Sequence, residues 1–127
     1  MIHKMEFMGK ELAALLKMGL TMAAADGKFA DEEKVAITLG MAEFGLDATA
    51  IKAHLVIAEA MEPVQALSIL AAMNTSQQKF ATGFLATVMV SDGDIDDSEV
   101  KLWQLVCTLC GFPTMSIAEA VDFWRTH

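Results

Sequence analysis

The chain has 127 residues, 54% hydrophobic and 20% charged, a length that suits one domain and a composition too apolar for a disordered protein. Its net charge is −8 and its nine Lys and Arg residues are scattered, which argues against binding to nucleic acids or anionic membrane surfaces. No segment has the pattern of a signal peptide or a transmembrane span, so we predict a soluble cytoplasmic protein without direct membrane insertion.

Strong helix formers dominate the chain, and we predict an all-α fold, a compact bundle of seven helices in two pseudo-symmetric halves. In chain order, the first helix carries an apolar stripe from Met5 to Ala23 and ends near Ala25, and the next four cover about 31–44, 48–61, 64–73 and 76–90. A sixth helix is ended by Gly111, Phe112 and Pro113, and the seventh covers about 117–124. The expected end signals are Gly45 as a stop, Pro63 in a first turn, and Asp47, Thr75 or Ser76, and Ser116 as N-caps. The sixth helix is expected to bury Leu102, Leu105, Val106, Leu109 and Cys110.

An acidic segment occurs twice, 66 positions apart. Residues 26–33 read DGKFADEE and residues 92–99 read DGDIDDSE; we call them the first and second acidic turns. They share the pattern D-G-x-apolar-x-D-x-E and hold nine of the 17 acidic residues. Further identities at the same offset are Thr21/Thr87, Leu39/Leu105 and Gly45/Gly111. We therefore predict one domain over 1–127 with an internal repeat at about 12–46 and 78–112.

Each acidic turn has the spacing of the second half of an EF-hand calcium loop, with Asp at position 5, Gly at 6, an apolar residue at 8 and Glu at 12. Positions 1 and 3 would be Met22 and Ala24, or Val88 and Val90, which offer no side-chain oxygen. One turn alone therefore supplies too few ligands for Ca²⁺, and we expect a weak site or one ion shared by both turns. The candidate metal ligands are Asp26, Asp31, Glu33, Asp92, Asp94, Asp96, Asp97 and Glu99.

The same carboxylates could instead stabilise helix ends without any metal. Asp31, Glu32 and Glu33 would oppose the macrodipole of the second helix, and Asp96 and Glu99 have the spacing of a capping box. Capping alone does not explain why the Asp-Gly pair recurs at the same offset. Nor does it explain five carboxylates within the second acidic turn, whose mutual repulsion a bound cation would relieve.

Residues 24–33, AADGKFADEE, and 90–99, VSDGDIDDSE, resemble the TerB family of tellurite-resistance and stress proteins, which is related to the domain at one end of the membrane co-chaperone DjlA. The resemblance spans nearly the whole chain. It implies a compact, all-helical, non-enzymatic bacterial protein of the cytoplasm that binds divalent cations on a clustered acidic surface. It also implies association with membrane-protein complexes or other stress proteins.

The functional residues that this resemblance carries over are Asp26, Glu33, Asp92 and Glu99, followed by Asp31 and Asp97. The two acidic turns are not identical. The first has Lys28 and Ala30 where the second has Asp94 and Asp96, so the resemblance does not imply equal occupancy of the two turns.

Cys107 and Cys110 have the C-x-x-C spacing of redox and zinc sites, but they fall near the end of a predicted helix on its apolar face. A reactive thiol needs a helix N-terminus or a nearby cation, so we predict two core cysteines. His3, His54 and His127 show no metal-binding spacing. Because no nucleophile–base arrangement or phosphate-binding loop is visible either, we predict that the protein is not an enzyme.

Two functions remain open from the sequence. The first is a stress-type module that binds a divalent cation, with Ca²⁺ as the first candidate, weakly through the two acidic turns. The second is a metal-independent interaction module. Its acidic face would bind a protein with a basic surface, and its methionine-rich helices would self-associate into a homo-oligomer. Most of the ten methionines, however, lie on apolar stripes, so we predict that they belong to the core.

Overall fold

The structure, a computed structural model, describes residues 9–25, 31–91, 93 and 95–127. Within these residues it has seven helices and no strand, which confirms the all-α prediction. The helices are α1 (Gly9–Ala23), α2 (Asp31–Glu43), α3 (Ala48–Ala60), α4 (Pro63–Ala71), α5 (Thr75–Val90), α6 (Asp97–Leu109) and α7 (Ile117–Thr126). The start of the predicted first helix, with Met5, lies outside the described residues.

Short polar side chains begin the helices where the sequence predicts it, with one exception. Asp47 Oδ1 accepts a hydrogen bond from the Ala50 N–H at 2.8 Å, and Ser116 with Glu119 forms the predicted capping box. The N-cap of α5 is Asn74 rather than Thr75 or Ser76. Asn74 is favoured at this position because Gln77 follows three residues later. Each of the two side chains accepts a hydrogen bond from the backbone N–H of the other residue.

α1 and α5 lie side by side at the centre of the bundle. Near their N-termini, Gln77 Nε2 donates a hydrogen bond to Glu11 Oε1 at 3.3 Å, and farther along the ring of Phe84 lies against Gly19. These contacts join residues 66 and 65 positions apart, so the two helices run in the same direction. α1 was expected to be amphipathic, but it is buried on every side over 11–16 because other helices surround it.

The remaining helices surround this central pair in a matching arrangement. α3 packs on α1 and α7 packs on α5, while α2 and α6 each contact both central helices. α4 connects the halves and packs mainly on α1. No single described helix is long and apolar enough to cross a membrane; α3 and α4 reach that length and composition only together, and they are bent by 114° at the break between them.

The two halves repeat the same local structure at the offset of the acidic turns. The bounds of α2 and α6 differ by 66 residues, and each helix is followed by a glycine with left-handed φ, 96° at Gly45 and 68° at Gly111. The residue after each glycine donates its N–H to the carbonyl five residues earlier, at 3.2 and 2.9 Å. This bond defines the Schellman motif, which favours glycine because a side chain strains at positive φ.

The buried face of α6 differs from the predicted stripe. Trp103, Val106 and Cys110 are buried, whereas Leu105 is 53% and Leu109 is 60% exposed. Trp103 sets the rotation of the helix, because its large ring enters the core and its indole N–H donates to the Thr82 carbonyl at 3.4 Å. The prediction that the sixth helix buries Leu105 and Leu109 was therefore wrong.

The methionines that the structure describes belong mostly to the core, as predicted. Met18, Met22, Met41, Met73 and Met89 are buried, and Met61 and Met115 are half-buried. Met1, Met5 and Met8 lie outside the described residues.

Gly40 lets α2 approach the ring of Phe84 closely. A Cβ at Gly40 would overlap Cε1 of that ring and lie 2.6 Å from Cδ1. We expect Gly40→Ala to lower the free energy of unfolding by about 2 kcal/mol, because overpacking outweighs the better helix propensity of alanine. Urea unfolding would measure this loss. Gly9→Ala is the control, since among the described residues its Cβ would meet only His54 Nε2, at 3.6 Å; a similar loss in both variants would contradict the packing explanation.

Candidate metal centre

The described parts of the two acidic turns lie at the same end of the bundle. The first joins α1 to α2 and the second joins α5 to α6, and the parallel course of α1 and α5 brings both turns to the ends of these helices. Ser91, immediately before the second turn, lines one groove together with Asp31 and Glu32 of the first turn. The sequence repeat therefore becomes a spatial pair, which one shared ion requires.

The eight predicted ligands do not all fall within the described residues. Asp26, Asp92 and Asp94 lie outside them. Asp31 and Asp97 are the first residues of α2 and α6, and both are exposed. At that position each carboxylate interacts favourably with the positive end of its helix macrodipole, as the capping interpretation predicts.

Asp96 caps α6. Its Oδ1 accepts hydrogen bonds from the N–H groups of Ser98 at 2.8 Å and Glu99 at 3.3 Å. This is one half of the predicted capping box. A carboxylate has two oxygens, so a cap made through Oδ1 is compatible with a metal bond through Oδ2.

Glu33 and Glu99 are buried at equivalent positions. Each is the third residue of its helix and is only 1% exposed, and the Oε2 atom of each is inaccessible to solvent. Burying an ionised carboxylate is costly unless it is paired, hydrogen-bonded or bound to a cation. In both halves, the glutamate at EF-hand position 12 is therefore buried in the bundle.

Helix periodicity explains why these two glutamates point inward. Glu33 is followed on the same face of α2 by the buried residues Ile37 and Met41. Glu99 is followed on α6 by Trp103, four residues later. This register follows from the rotation of each helix, which on α6 buries Trp103 rather than Leu105 and Leu109.

The described residues alone do not complete a metal site. Among them, no three His, Cys, Asp or Glu side chains are grouped closely enough to hold an ion. Asp26, Asp92 and Asp94 lie outside the described residues, so the predicted ligand set stays a prediction.

The two cysteines lie at the C-terminal end of α6, as predicted. Cys110 is buried and its thiol lies 3.5 Å from the Leu67 carbonyl, while Cys107 is half-buried. Burial, with a smaller effect of the neighbouring Cys110, raises the pKa of Cys107 to about 12, and burial also raises the pKa of Cys110. Both remain thiols at neutral pH, the form least suited to nucleophilic attack or metal binding.

A structural comparison finds a relative that extends over the whole chain. The crystal structure of the protein of unknown function PG1108 from Porphyromonas gingivalis W83 matches with a TM-score of 0.86 and 36% sequence identity. The match covers 99% of this chain and 96% of that chain. No protein-family model and no curated protein matches the sequence.

Proposed function

This chain belongs to the same protein family as PG1108 of Porphyromonas gingivalis, and we propose that it is a non-enzymatic, TerB-like module that binds a divalent cation through its two acidic turns. The oxygen-only character of the candidate ligands favours a hard cation, with Ca²⁺ first and Mg²⁺ or Mn²⁺ as alternatives. A cytoplasmic, stress-response setting follows from the TerB resemblance and belongs to the same proposal.

The matched burial of Glu33 and Glu99 carries this proposal. Two carboxylates are withdrawn from water at equivalent positions, each at the N-terminal end of a helix that follows an acidic turn. A bound cation would compensate the cost of that burial directly. The alternative of pure capping accounts for Asp96, which caps α6.

The chain passes through this end of the bundle twice. α1 and α5 end at the acidic turns and α2 and α6 begin there, so two negative and two positive ends of helix macrodipoles meet and largely offset each other. The mutual repulsion of the clustered carboxylates remains. A divalent cation shared by the two turns would relieve it and would hold α2 and α6 in their positions on α1 and α5.

Calorimetric titration of chelator-treated protein with Ca²⁺, Mg²⁺, Mn²⁺ or Zn²⁺ tests this function. We expect Glu33→Gln/Glu99→Gln to raise the dissociation constant of the preferred ion at least tenfold, which corresponds to a loss of about 1.4 kcal/mol or more in binding free energy. The control variant Glu32→Gln/Asp122→Asn removes two exposed carboxylates and the same charge. Absence of binding up to millimolar ion, or an equal loss in the control variant, would refute a site built on the buried glutamates.

A metal-independent interaction module is the second candidate, and one observation favours it. Large apolar side chains that are at least half exposed occur on several helices: Val35, Leu39, Val56, Ile57, Val64, Leu105 and Leu109. The described methionines are buried or half-buried, so exposed Val, Ile and Leu would make such contacts. Under this function the titrations with cations would show no binding, and a partner protein would bind equally well with and without a chelator.

A further inference from the structure

We infer that the exposed face of α2 beside the acidic turns docks a basic amphipathic helix of another protein. The site is a groove at the surface, which we call the α2 groove. It is lined by Asp31, Glu32, Val35, Ala36, Leu39 and Ser91. It shares Asp31 with the candidate metal ligands but does not include buried Glu33, and the inference does not require a bound cation.

The floor of the α2 groove is an apolar helix face that water now covers. Val35 is 56% and Leu39 is 59% exposed. Together with Glu32 and Ala36 they stand at i, i+3, i+4 and i+7, so all four share one face of α2. An apolar stripe of this spacing is what a partner helix covers in helix-in-groove recognition.

The charge at one end of the groove defines the partner. Asp31 and Glu32 are exposed at the first turn of α2, directly beyond the apolar floor. Lys34 pairs with Asp31 at 3.7 Å, but an ion pair this exposed is weak, and a partner's Arg or Lys can replace it at little cost. The whole chain carries a net charge of −8. A helix with an apolar stripe and basic residues complements both features, whereas a second copy of this acidic chain would add repulsion.

The equivalent face of α6, in the second half of the chain, lacks the charge and the apolar pattern of the α2 groove. At the offset of 66, Leu39 corresponds to Leu105, which is similarly exposed, but Val35 corresponds to Lys101 and Glu32 to Ser98. A lysine in the middle of the α6 face would repel a basic helix. The internal repeat therefore supplies a matched control position on the same molecule.

A designed peptide is the probe for this inference. A fluorescein-labelled peptide of about 18 residues carries leucines at the i, i+3, i+4, i+7 spacing and lysines on its other face. A second peptide has the same composition with the stripe scrambled, so that it retains only the positive charge. Fluorescence anisotropy measures the affinity of both for the full chain and for Leu39→Gln and Leu105→Gln, with EDTA and with Ca²⁺, while circular dichroism confirms folding.

We expect the striped peptide to bind at least tenfold more tightly than the scrambled one. Leu39→Gln should lower the affinity for the striped peptide about tenfold, as the loss of one buried leucine implies, and Leu105→Gln should leave this affinity unchanged. Equal affinity for both peptides, or equal effects of the two substitutions, would overturn the proposal that the α2 groove docks a basic helix. Sedimentation provides the other decisive outcome: if the wild type self-associates and Leu39→Gln does not, the occupant is a second copy and the basic-helix proposal is wrong. Because every comparison is also made in EDTA, where no cation is bound, a failed cation site leaves these outcomes unaffected.

Discussion

Replacing Phe84 with alanine is expected to lower the free energy of unfolding by about 3–5 kcal/mol. Phe84 is 1% exposed, and its ring joins elements from both halves of the chain. It lies against Gly19 of α1 and Gly40 of α2, and it contacts the rings of Phe44 and Trp124 at centroid distances of 6.0 and 5.7 Å. Glycines already occupy two of these contact positions, so no neighbouring side chain there can move into the cavity.

Urea unfolding followed by far-ultraviolet circular dichroism measures this loss. Phe123→Ala is the matched control, because Phe123 is half-buried at the edge of the core, against Phe80 and His127. It should cost clearly less than Phe84→Ala. If the two variants lose the same stability, Phe84 is not the junction of the two halves that its contacts indicate.

Sequence reasoning could predict the helices because their ends carry strong local signals. Gly45 and Gly111 stop α2 and α6 through a backbone conformation that few other residues adopt. Asp47 begins α3 through one side-chain hydrogen bond, and Ser116 begins α7 through the capping box with Glu119. Pro63 fits the first turn of α4. Such signals act over a few residues and need no knowledge of the tertiary structure.

Tertiary packing decided what the local pattern could not. Leu105 and Leu109 follow a good apolar period, yet α6 is rotated so that Trp103 enters the core and both leucines face water. Likewise Glu11 interrupts the apolar stripe of α1 and would be expected in solvent. It is buried because Gln77, its counterpart in the repeat, meets it between α1 and α5.

The candidate site was predictable in its residues but not in its burial. The repeat singled out Glu33 and Glu99 by spacing alone, yet a first-turn glutamate most often faces water. Their burial depends on the rotation of α2 and α6 against α1 and α5, which only the assembled bundle fixes. Asp31 and Asp97 occupy first positions of their helices and stay exposed, as their sequence context implies.

Cation binding is expected to produce the second large change in stability. An ion that binds the folded chain and not the unfolded chain adds about 2.7 kcal/mol at 100 times its dissociation constant. For a domain of this size that corresponds to a rise of about 10 °C in Tm. Glu33→Gln/Glu99→Gln should lose the rise, because an amide cannot give the ion the charge that a buried carboxylate supplies.

Thermal unfolding of EDTA-treated protein, with and without saturating Ca²⁺, Mg²⁺ or Mn²⁺, tests the central claim most directly. The wild type and the Glu32→Gln/Asp122→Asn control should both gain about 10 °C with one of these ions, and Glu33→Gln/Glu99→Gln should gain nothing. An unchanged Tm for the wild type up to millimolar ion, or the same gain in all three proteins, would contradict a cation site at the buried glutamates.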